Sequence, residues 1–570
     1  MESRWEIQSL SPQQQAVRDR LAAELNINKA AAALLVHRGL LTAEAARTFI
    51  RPSLDQLHDP FLMRDMDKAV SRLTSAVEHN EKILIYGDYD VDGTTAVALV
   101  YTYLSSFYQN LDFYIPDRYT EGYGISFKGV DYAAEQDCRL IIALDCGIRS
   151  DDKVSYARDR GIDFIICDHH LPGNTIPDAV AVLDAKRKDN TYPFNELSGC
   201  GVGFKLMQAY AQQHNRPFEE LIPLLSLTAM AVASDIVPVV DENRLLAHFG
   251  ILQLNNQPSV GMQQLIQLAG IEQGKLQMYD LQFKIGPRIN ACGRIRSGRE
   301  AVRLLITTDP QEAAEISNLV NENNEKRRSL DHDITDAALE QLRQDPDNDT
   351  HCSTVVCGEH WHKGVLGIVA SRLTETYYRP TIVLSEEDGM VSGSARSAGG
   401  FDIYAAIDSC NDLLTNFGGH LYAAGLSMKA ENLPEFKRRF EQYVSAHILP
   451  EQKQPVIQVE EELDFQDITN RFYDVIRCLQ PFGPGNPSPI FVTYNVCNYR
   501  YTKAVGKQNE HLKLDVTDRT GYMQGIAFCK GSFALALQNG NNADICYELQ
   551  QNTFNGKTTL QMMVQDIKMR

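Results

Sequence analysis

The chain has 570 residues, of which 44% are hydrophobic and 23% are charged. This composition is typical of a folded globular protein, and the length predicts about three or four domains. Lysine and arginine number 55 against 74 acidic residues, so the formal net charge is −19. This excess excludes a simple basic coat protein of nucleic acid, but it allows an enzyme with a basic channel on an acidic chain.

The sequence shows no signal for export or for membrane insertion. The start is polar and lacks an apolar h-region, and the apolar run at 224–240 is interrupted by Ser234 and Asp235 and is too short to span a bilayer. The 12 cysteines include no Cys-x-x-Cys pair. This favours buried thiols in a reducing compartment over a disulfide scaffold or a zinc site, so we expect a cytoplasmic protein.

Short apolar runs follow a first segment, residues 1–55, which we predict to be helical from its alanine and leucine content. Four of these runs hold four or five consecutive apolar residues, at 82–90, 139–147, 163–170 and 179–184. Such runs are typical of strands that are buried on both faces, as in a parallel sheet. Segments long enough for crossover helices lie between the first three runs, so the sequence predicts a doubly wound α/β fold.

The second half of the chain predicts a long helix and two further units. Residues 309–344 are polar, and their apolar members recur at helical spacing, which indicates a connecting helix, continuous or interrupted. A second α/β stretch begins near residue 350. A third unit begins near residue 455 and is rich in short β-like runs with Gly and Asn turns, which favours a small barrel.

Acidic residues and histidines follow three successive predicted strands. Asp88, Asp90 and Asp92 follow the first strand, Asp145 the second, and Asp168-His169-His170 the third. Ligands bind beyond the carboxyl ends of strands in such sheets, so these groups meet at one edge. Gathered carboxylates need a cation, and oxygen ligands with one or two imidazoles suit Mn²⁺ or Mg²⁺ more than zinc. The set is large enough for two metal ions, although any one acid could be a solvated loop start.

Asp235 follows an apolar helical run that should be buried, and a buried carboxylate needs a partner. That partner is either a metal ion or the backbone of the next turn, which the carboxylate would cap. The sequence does not decide between these two interpretations.

Basic residues are concentrated in a few places, although the chain is acidic. The segment 286–303 contains five arginines and one glutamate, which suits phosphate binding unless it is a solvated helix face. Residues 392–397 and 417–420 combine Arg, Ser or His with glycines that allow close backbone approach to a ligand. Residues 471–530 hold eight Lys/Arg among several aromatic residues. These aromatic residues either form a core or stack on the bases of single-stranded nucleic acid.

These motifs resemble a known family. GDYDVDGTTA, LDCGI, CDHH and ASDIV are similar to the four ordered motifs of the DHH phosphoesterase family. Five downstream motifs resemble the RecJ family of bacterial exonucleases within it: IPDRYTEGYG, FKIGPRINACGR, WHKGVLGIVASRL, SGSARS and FGGHLYAAG. LQPFGPGNPSPIF resembles the start of the OB-fold domain of that family. Cys292 stands where the family pattern has alanine, and residues 399–402 lack its proline.

The resemblance implies an α/β fold with a parallel-sheet DHH catalytic domain, a long connecting helix, a smaller α/β DHH-associated domain and a C-terminal OB-fold barrel. We place the helical N-terminal segment at 1–55, the catalytic domain at 56–305, the connecting helix at 306–349, the DHH-associated domain at 350–454 and the nucleic-acid-binding OB domain at 455–570.

The resemblance also implies an exonuclease that degrades single-stranded DNA from its 5′ end to 5′-mononucleotides, with two Mn²⁺ or Mg²⁺ ions, in recombination and repair. The implied metal ligands are Asp88, Asp90, Asp92, Asp145, His169 and Asp235, with Asp145 as the bridge between the ions and Asp88 as the least certain. His170 is implied to face the scissile phosphate. The implied DNA- and phosphate-binding residues are Arg118, Tyr123, Arg288, Asn290, Arg294, Ser394, Arg396, Gly419 and His420.

The implied partners are single-stranded DNA, a single-strand-binding protein and a helicase, and the expected state is a monomer without membrane contact. Two other functions remain open at this point: a DHH enzyme for short oligonucleotides, cyclic dinucleotides or pyrophosphate, and a non-catalytic DNA-binding scaffold. The first is disfavoured by the OB-like unit, and the second by the complete set of candidate ligands.

Overall fold

A computed structural model of the chain describes residues 3–554 and 556–570, and Phe554 through its backbone alone. The chain divides into two compact units. One consists of Ser53–Leu449 with Gly483–Gly485, and we call it the catalytic unit. The other consists of Met1–Pro52, Pro450–Phe482 and Asn486–Arg570, and we call it the barrel unit.

The strands are β1 (Arg4–Ile7), β2 (Lys82–Gly87), β3 (Leu111–Tyr114), β4 (Cys138–Leu144), β5 (Asp163–Cys167), β6 (Ala181–Leu183), β7 (Thr354–Glu359), β8 (Thr381–Glu387), β9 (Met390–Arg396), β10 (Leu414–His420), β11 (Ala423–Lys429), β12 (Val456–Val459), β13 (Glu461–Glu462), β14 (Phe491–Asn498), β15 (Lys503–Val505), β16 (His511–Thr517), β17 (Tyr522–Ala527), β18 (Ala543–Phe554) and β19 (Lys557–Met569).

The helices are α1 (Pro12–Leu25), α2 (Lys29–His37), α3 (Ala43–Ile50), α4 (Met66–Glu78), α5 (Val91–Ser105), α6 (Phe127–Glu135), α7 (Asp151–Arg158), α8 (Gly199–Gln213), α9 (Leu225–Ser234), α10 (Asp241–Asn256), α11 (Val260–Leu268), α12 (Met278–Asp280), α13 (Gly286–Ile295), α14 (Arg299–Ile306), α15 (Pro310–Gln344), α16 (Leu366–Tyr377), α17 (Ile403–Asp408), α18 (Leu433–His447), α19 (Asn470–Leu479) and α20 (Ala534–Gln538).

The first sheet of the catalytic unit is parallel, with strand order β3-β2-β4-β5-β6. Alternate residues of β2 enter two different apolar clusters: Ile83 and Ile85 pack in one, and Leu84 and Tyr86 in the other. Both faces of the sheet are therefore covered, as the continuous apolar runs predict. The sequence pattern does not reveal β3, because this edge strand is short and partly exposed.

Helix α15 is the predicted connecting helix, and it runs uninterrupted for 35 residues. Asp309 caps its first turn by accepting a hydrogen bond from the backbone N–H of Gln311. The first half of α15 packs against α11, α13 and α14, and the second half packs against β7 and α16. One rigid helix thus lines both parts of the catalytic unit.

The second sheet of this unit has the order β10-β11-β9-β8-β7. Strands β7 and β8 are parallel, whereas the other pairs are antiparallel. Phe436 and Phe440 of α18 are buried against this sheet together with Ile382 and Leu426. The smaller α/β domain that the sequence predicts is confirmed.

The barrel unit contains the expected OB-type barrel. Its strands follow the order β13-β14-β18-β19-β17-β16-β15, and a pairing of β14 with β16 closes the barrel. The N-terminal helices share its core, since Leu21 and Leu34 belong to the same buried cluster as Phe491 and Tyr547. Strand β1 pairs in parallel with β12, which also ties the start of the chain to this unit.

Among the described residues, no helix is both long enough and apolar enough to cross a membrane.

Candidate active site

The carboxyl end of β2 places the first three acids. Asp88 is fully buried directly after the strand, and Asp90 caps α5 by accepting a hydrogen bond of 3.0 Å from Gly93 N–H. Asp92 lies in the first turn of α5, and its carboxylate accepts 2.7 Å hydrogen bonds from the backbone N–H groups of Gly199 and Cys200. The amino end of α8 therefore fixes Asp92, as expected for a carboxylate at a helix N-terminus.

Asp145 follows β4 in a left-handed backbone conformation with φ of 60°. Its N–H donates to the Cys167 carbonyl at 2.9 Å, which turns the side chain toward the start of α8. A Cβ at Gly199 would lie 2.5 Å from Cβ of Asp145, so this position of α8 has room for glycine alone. Among the described residues, Oδ1 of Asp145 is buried without a hydrogen-bond partner.

His169 lies at the centre of the acids. Its Nε2 is 3.1 Å from Oδ1 of Asp145, 3.5 Å from Oδ2 of Asp235 and 3.8 Å from Oδ2 of Asp92. Within the part of the chain that the structure describes, neither ring nitrogen of His169 has a hydrogen-bond partner. Buried polar atoms that converge without partners fit a metal ion, which would satisfy all of them together.

Two triads of ligand atoms have the right spacing for metal ions. Asp92, His169 and Asp235 form one, and Asp145, His169 and His170 form the other, each with its atoms within 4.8 Å of one another. Asp235 therefore joins the cluster, which favours the metal interpretation over that of a cap. Asp88 and Asp90 lie on the adjacent turn, outside both triads.

The electrostatics of the cluster call for a cation. Burial and the charge of Asp90 raise the pKa of Asp88 to about 8, and burial raises that of Asp235 to about 7. Burial and neighbouring carboxylates raise the pKa values of Asp92 and Asp145 well above their ordinary range. Because all these shifts come from desolvation and like charges, bound divalent ions would reverse them.

Asp168 organises the loop after β5. Its carboxylate accepts 2.8 Å hydrogen bonds from the N–H groups of Ile148 and His169, and it lies 2.7 Å from Nδ1 of His170. Burial opposes ionisation, but the hydrogen bond and charge of His170 lower the pKa of Asp168 to about 2. Asp168 in turn raises the pKa of His170 against the effect of burial. The hydroxyl of Tyr123 lies 3.0 Å from Nε2 of His170.

Three of the candidate arginines lie near one another. Arg118 stacks on the ring of Tyr89, with 4.9 Å between the guanidinium carbon and the ring centroid. Arg294 donates to the Gly364 carbonyl at 2.9 Å. Burial lowers the pKa of Arg294 to about 10, and the charges of Arg118 and Arg396 act in the same direction.

Arg396 and Ser394 lie over the first turn of α16. A Cβ at Gly367 would be 2.6 Å from the Arg396 guanidinium and 3.4 Å from Oγ of Ser394. Strand pairing places His420 beside Ala423, and Ala423 beside Arg396, so these residues share one row of the sheet. Half-buried cations beside a helix N-terminus form a site that suits phosphate groups.

Arg288 is not brought into this group. Its guanidinium donates to the carbonyls of Lys284 at 2.5 Å and Leu268 at 3.3 Å, and to Oδ1 of Asn321 at 3.3 Å. Asn290 is half-buried on the same helix, α13. Arg288 thus braces α13 against its neighbours in this structure.

The chain is similar to known proteins over nearly its whole length. Three family models match: the DHH family N-terminal domain over residues 82–234, the DHHA1 domain over 349–446 and the RecJ OB domain over 459–566. The single-stranded-DNA-specific exonuclease RecJ of Bacillus subtilis is 37% identical over 565 residues, which cover 99% of this chain and 70% of that protein. The chain belongs to the RecJ family. The resemblance predicted from the motifs is confirmed.

Other members of the RecJ family agree with this assignment. The Escherichia coli exonuclease of the same name is 32% identical, over 88% of this chain and 90% of that protein. The Mn²⁺ complex of RecJ from Thermus thermophilus matches with a TM-score of 0.84 at 26% identity, over 99% of this chain and 79% of that chain. Another exonuclease RecJ bound to manganese matches with a TM-score of 0.60 at 30% identity, over 70% and 98% of the two chains.

Two residues at this RecJ-family site were not predicted from the sequence. Tyr119 donates to the Arg294 carbonyl at 2.5 Å, and so joins the loop after β3 to α13. Asp184 directly follows β6 and is fully buried, and burial raises its pKa to about 7. The run that ends in Asp184 is a visible signal of a fourth strand-end acid, whereas nothing in the sequence marks Tyr119.

Proposed function

We propose that this chain is a single-stranded-DNA-specific exonuclease that works from 5′ to 3′ and releases 5′-mononucleotides in recombination and repair. It is a metal-dependent phosphodiester hydrolase of the RecJ family. The observation that carries the proposal is the convergence of His169 with Asp92, Asp145 and Asp235 beside a group of arginines. Acids alone suit many functions, but acids next to a phosphate site suit phosphodiester cleavage.

The proposed cofactor is a pair of Mn²⁺ or Mg²⁺ ions. The residues that would hold them are Asp88, Asp90, Asp92, Asp145, His169 and Asp235. Asp145 is proposed as the bridge because it has carboxylate and imidazole neighbours and an Oδ1 that accepts no hydrogen bond from the described residues. Two bound divalent ions would supply a water-derived nucleophile at neutral pH and neutralise charge on the phosphodiester.

The protein's own residues orient the reacting groups. Asp168 accepts a hydrogen bond from Nδ1 of His170, which fixes the ring and leaves Nε2 on the side of Tyr123. Because Asp168 raises the pKa of His170, the ring in its protonated form can stabilise charge on the scissile phosphate or give a proton to the leaving 3′ oxygen. Because Asp168 is committed to this role, it acts as a positioning residue and is not a proposed metal ligand.

The arginines are proposed to set the polarity of cutting. Arg118, Arg294 and Arg396, with Ser394 and the Gly419-His420 end of β10, would hold the 5′ phosphate and so place the first phosphodiester at the acids. A Cβ at Gly419 would lie 2.3 Å from the Ala423 carbonyl oxygen, so the hairpin depends on this glycine. Phosphate contacts carry no base information, so we expect cutting that is nearly independent of sequence.

The barrel unit is proposed to bind single-stranded DNA on its own surface. A pocket of about 430 Å³ is lined by Arg500, Tyr501, Lys503 and Lys513, among others. Tyr501 is 73% exposed. The guanidinium carbon of Arg500 lies 4.6 Å from the ring centroid of Tyr499, which is also exposed. Exposed aromatic rings with neighbouring cations suit stacking on successive bases.

Further partners are proposed from the family alone. They are a single-strand-binding protein and a helicase, with the enzyme itself a monomer. We also propose that it works in the cytoplasm, where the DNA substrate of a bacterial repair nuclease lies. Each of these proposals is separate from the catalytic one.

The catalytic proposal is tested with Asp145→Ala on a long 5′-phosphorylated single strand in Mn²⁺. On the scale of losses that follow removal of a central catalytic group, we expect the release rate to fall by roughly 1000-fold or more. Asp152→Ala, which removes a surface carboxylate paired with Lys153, should match the wild type. Near wild-type activity in Asp145→Ala would contradict the assigned bridge. A wild-type protein that cleaves dinucleotides but leaves the long strand intact would instead indicate a DHH enzyme for short substrates.

A further inference from the structure

The connecting helix α15 carries a row of polar residues on its buried side. Asn323, Arg327 and Asp331 are spaced by four residues and so share one face of the helix. Asn323 and Asp331 are 4% and 3% exposed, and the Arg327 side chain is 13% exposed. Buried polar rows are costly unless their members are paired or serve a ligand.

Asp331 pairs more closely with Arg372 than with Arg327. Its Oδ2 receives a hydrogen bond of 2.8 Å from Arg372, whereas the nearest Arg327 nitrogen lies 4.0 Å away. Arg327 donates once to a neutral group, the side-chain oxygen of Asn324 at 2.8 Å. In the described ranges 3–554 and 556–570, Nε of Arg327 is buried without a hydrogen-bond partner. Arg327 is thus, among the described residues, a buried guanidinium without a hydrogen bond to a carboxylate, and its one ion pair, with Asp331, is 4.0 Å long and shared with Arg372.

The surroundings of Arg327 are those of the phosphate site. Helices α13 and α15 and the turn Lys363–Val365 pack against one another in all three pairs. Arg294 lies in the last turn of α13 and donates to the carbonyl of Gly364 in the Lys363–Val365 turn, and Arg396 lies over Gly367 just beyond that turn. The charge of Arg327 also acts on Arg294 and helps to lower its pKa. Several positive charges are therefore held close together, and a bound polyanion would offset their mutual repulsion.

We propose that Arg327 is a further phosphate-binding residue, which holds the backbone of the DNA strand from the connecting helix beside Arg294. This inference rests on the proposed function, because it takes single-stranded DNA as the ligand. It assigns α15 a second role besides joining the two sheets of the catalytic unit: the helix contributes a cation to the strand-binding surface.

The test measures binding of a 5′-phosphorylated single-stranded oligonucleotide to the full chain in EDTA, across a range of salt concentrations. Arg327→Gln should weaken binding roughly tenfold or more and lower the salt slope by about 1. Its melting temperature should equal or exceed that of the wild type, because one of several mutually repelling cations is gone. In Mn²⁺, KM should rise more than kcat falls.

The matched control is Arg328→Gln, because Arg328 is the next residue, is 62% exposed and pairs with Glu325 on the outer face. Its binding should stay within about twofold of wild type, as for a surface ion pair. Arg327→Lys keeps the charge and should restore most of the affinity.

Two results would overturn the inference. One is an unchanged Kd and salt slope in Arg327→Gln. The other is an equal loss in the Lys and Gln variants together with a lower melting temperature, which would assign Arg327 to folding. If the wild type itself neither binds nor degrades the single strand, the proposed function fails. If the wild type is fully active and the Arg327 variants bind the strand as tightly as the wild type does, this inference fails while the proposed function stands.

Discussion

At the scale of single residues, the acids of the site can be predicted from the sequence because they follow strands that the sequence marks clearly. Asp88, Asp145 and His169 each come directly after or close to an apolar run, and parallel strands bring such positions to one edge. The arginine contributed by α15 could not be predicted in this way. Arg327 and Arg328 look alike in sequence, and the packing of the helix alone decides which one is buried.

The titration of Asp88 gives a prediction at this scale for the metal-free protein. Burial and Asp90 raise its pKa from 3.8 to about 8, so the folded chain binds a proton that the unfolded chain has released. The stability contributed by neutral Asp88 is therefore present at low pH and is lost as pH rises through about 8. In EDTA, the melting temperature of Asp88→Asn relative to wild type should increase from about pH 5 to about pH 8.5.

Calorimetry or circular dichroism at each pH measures this difference. Added Mn²⁺ serves as the control, because the wild type should then gain stability that the variant lacks. A difference that stays constant between about pH 5 and about pH 8.5 would show that Asp88 does not titrate in this range.

At the scale of elements, the amino end of α8 is as important to the site as the strands are. Gly199 and Cys200 hold Asp92, and Gly199 leaves the space that Asp145 occupies. The sequence segment GCGVG indicates a turn before a helix but gives no hint of the acids it would meet. Contacts between elements that are distant in sequence are set by tertiary packing, which local patterns do not encode.

Gly199→Ala should therefore damage the site without unfolding the protein. The new Cβ would lie 2.5 Å from Cβ of Asp145, so the carboxylate must move, while alanine is a better helix residue than glycine. We expect roughly a 100-fold loss of nuclease activity, of the size caused by displacing a catalytic group by about 1 Å. Because the new Cβ would also lie only 2.8 Å from the backbone Cα of Asp145, the melting temperature should fall as well, while the protein stays folded at room temperature.

The control is Gly201→Ala, two residues further along the first turn of α8. Its Cβ would lie 3.3 Å from the nearest atom, the end of the Leu197 side chain, which can adjust. Steady-state rates on a single strand compare the two variants. Equal activity in both would refute the account of α8 as the element that positions Asp145.

At the scale of the whole molecule, the local patterns predict the sheets, the long helix and the barrel, but not how the ends of the chain combine. Residues 1–52 lie far from the barrel strands in sequence, yet the two segments share one core. Leu34 packs in that core with no exposure. Packing between two segments this far apart in sequence depends on the complementary shapes of their surfaces, which local sequence patterns do not show.

Leu34→Ala should thus destabilise the barrel unit by about 2–5 kcal/mol, as for other large-to-small core changes. Thermal unfolding and limited proteolysis measure the effect, and we expect cleavage in residues 450–570 while residues 53–449 stay protected. Leu41→Ala is the control, because Leu41 is 45% exposed. Unchanged proteolysis of the barrel in Leu34→Ala would show that the N-terminal helices do not support it.

The net charge of −19 also has a meaning at this scale. The acids that lie in the site would be neutralised by two divalent ions, and the arginines near Arg294 give that region a positive potential. We expect the remaining acidic excess to repel DNA from the rest of the surface. DNA should therefore bind only where basic residues are concentrated, and its affinity should fall steeply as the salt concentration rises.

The central claim is a 5′-directed nuclease for single strands, and an end-labelling experiment tests it most directly. One single strand is labelled at either its 5′ or its 3′ end, and a matching blunt duplex is included, with Mn²⁺ and with EDTA. We expect the 5′ label to appear as a mononucleotide from the earliest times, the duplex to stay intact and EDTA to stop the reaction. Release of the 3′ label first, or equal cutting of the duplex, would contradict it.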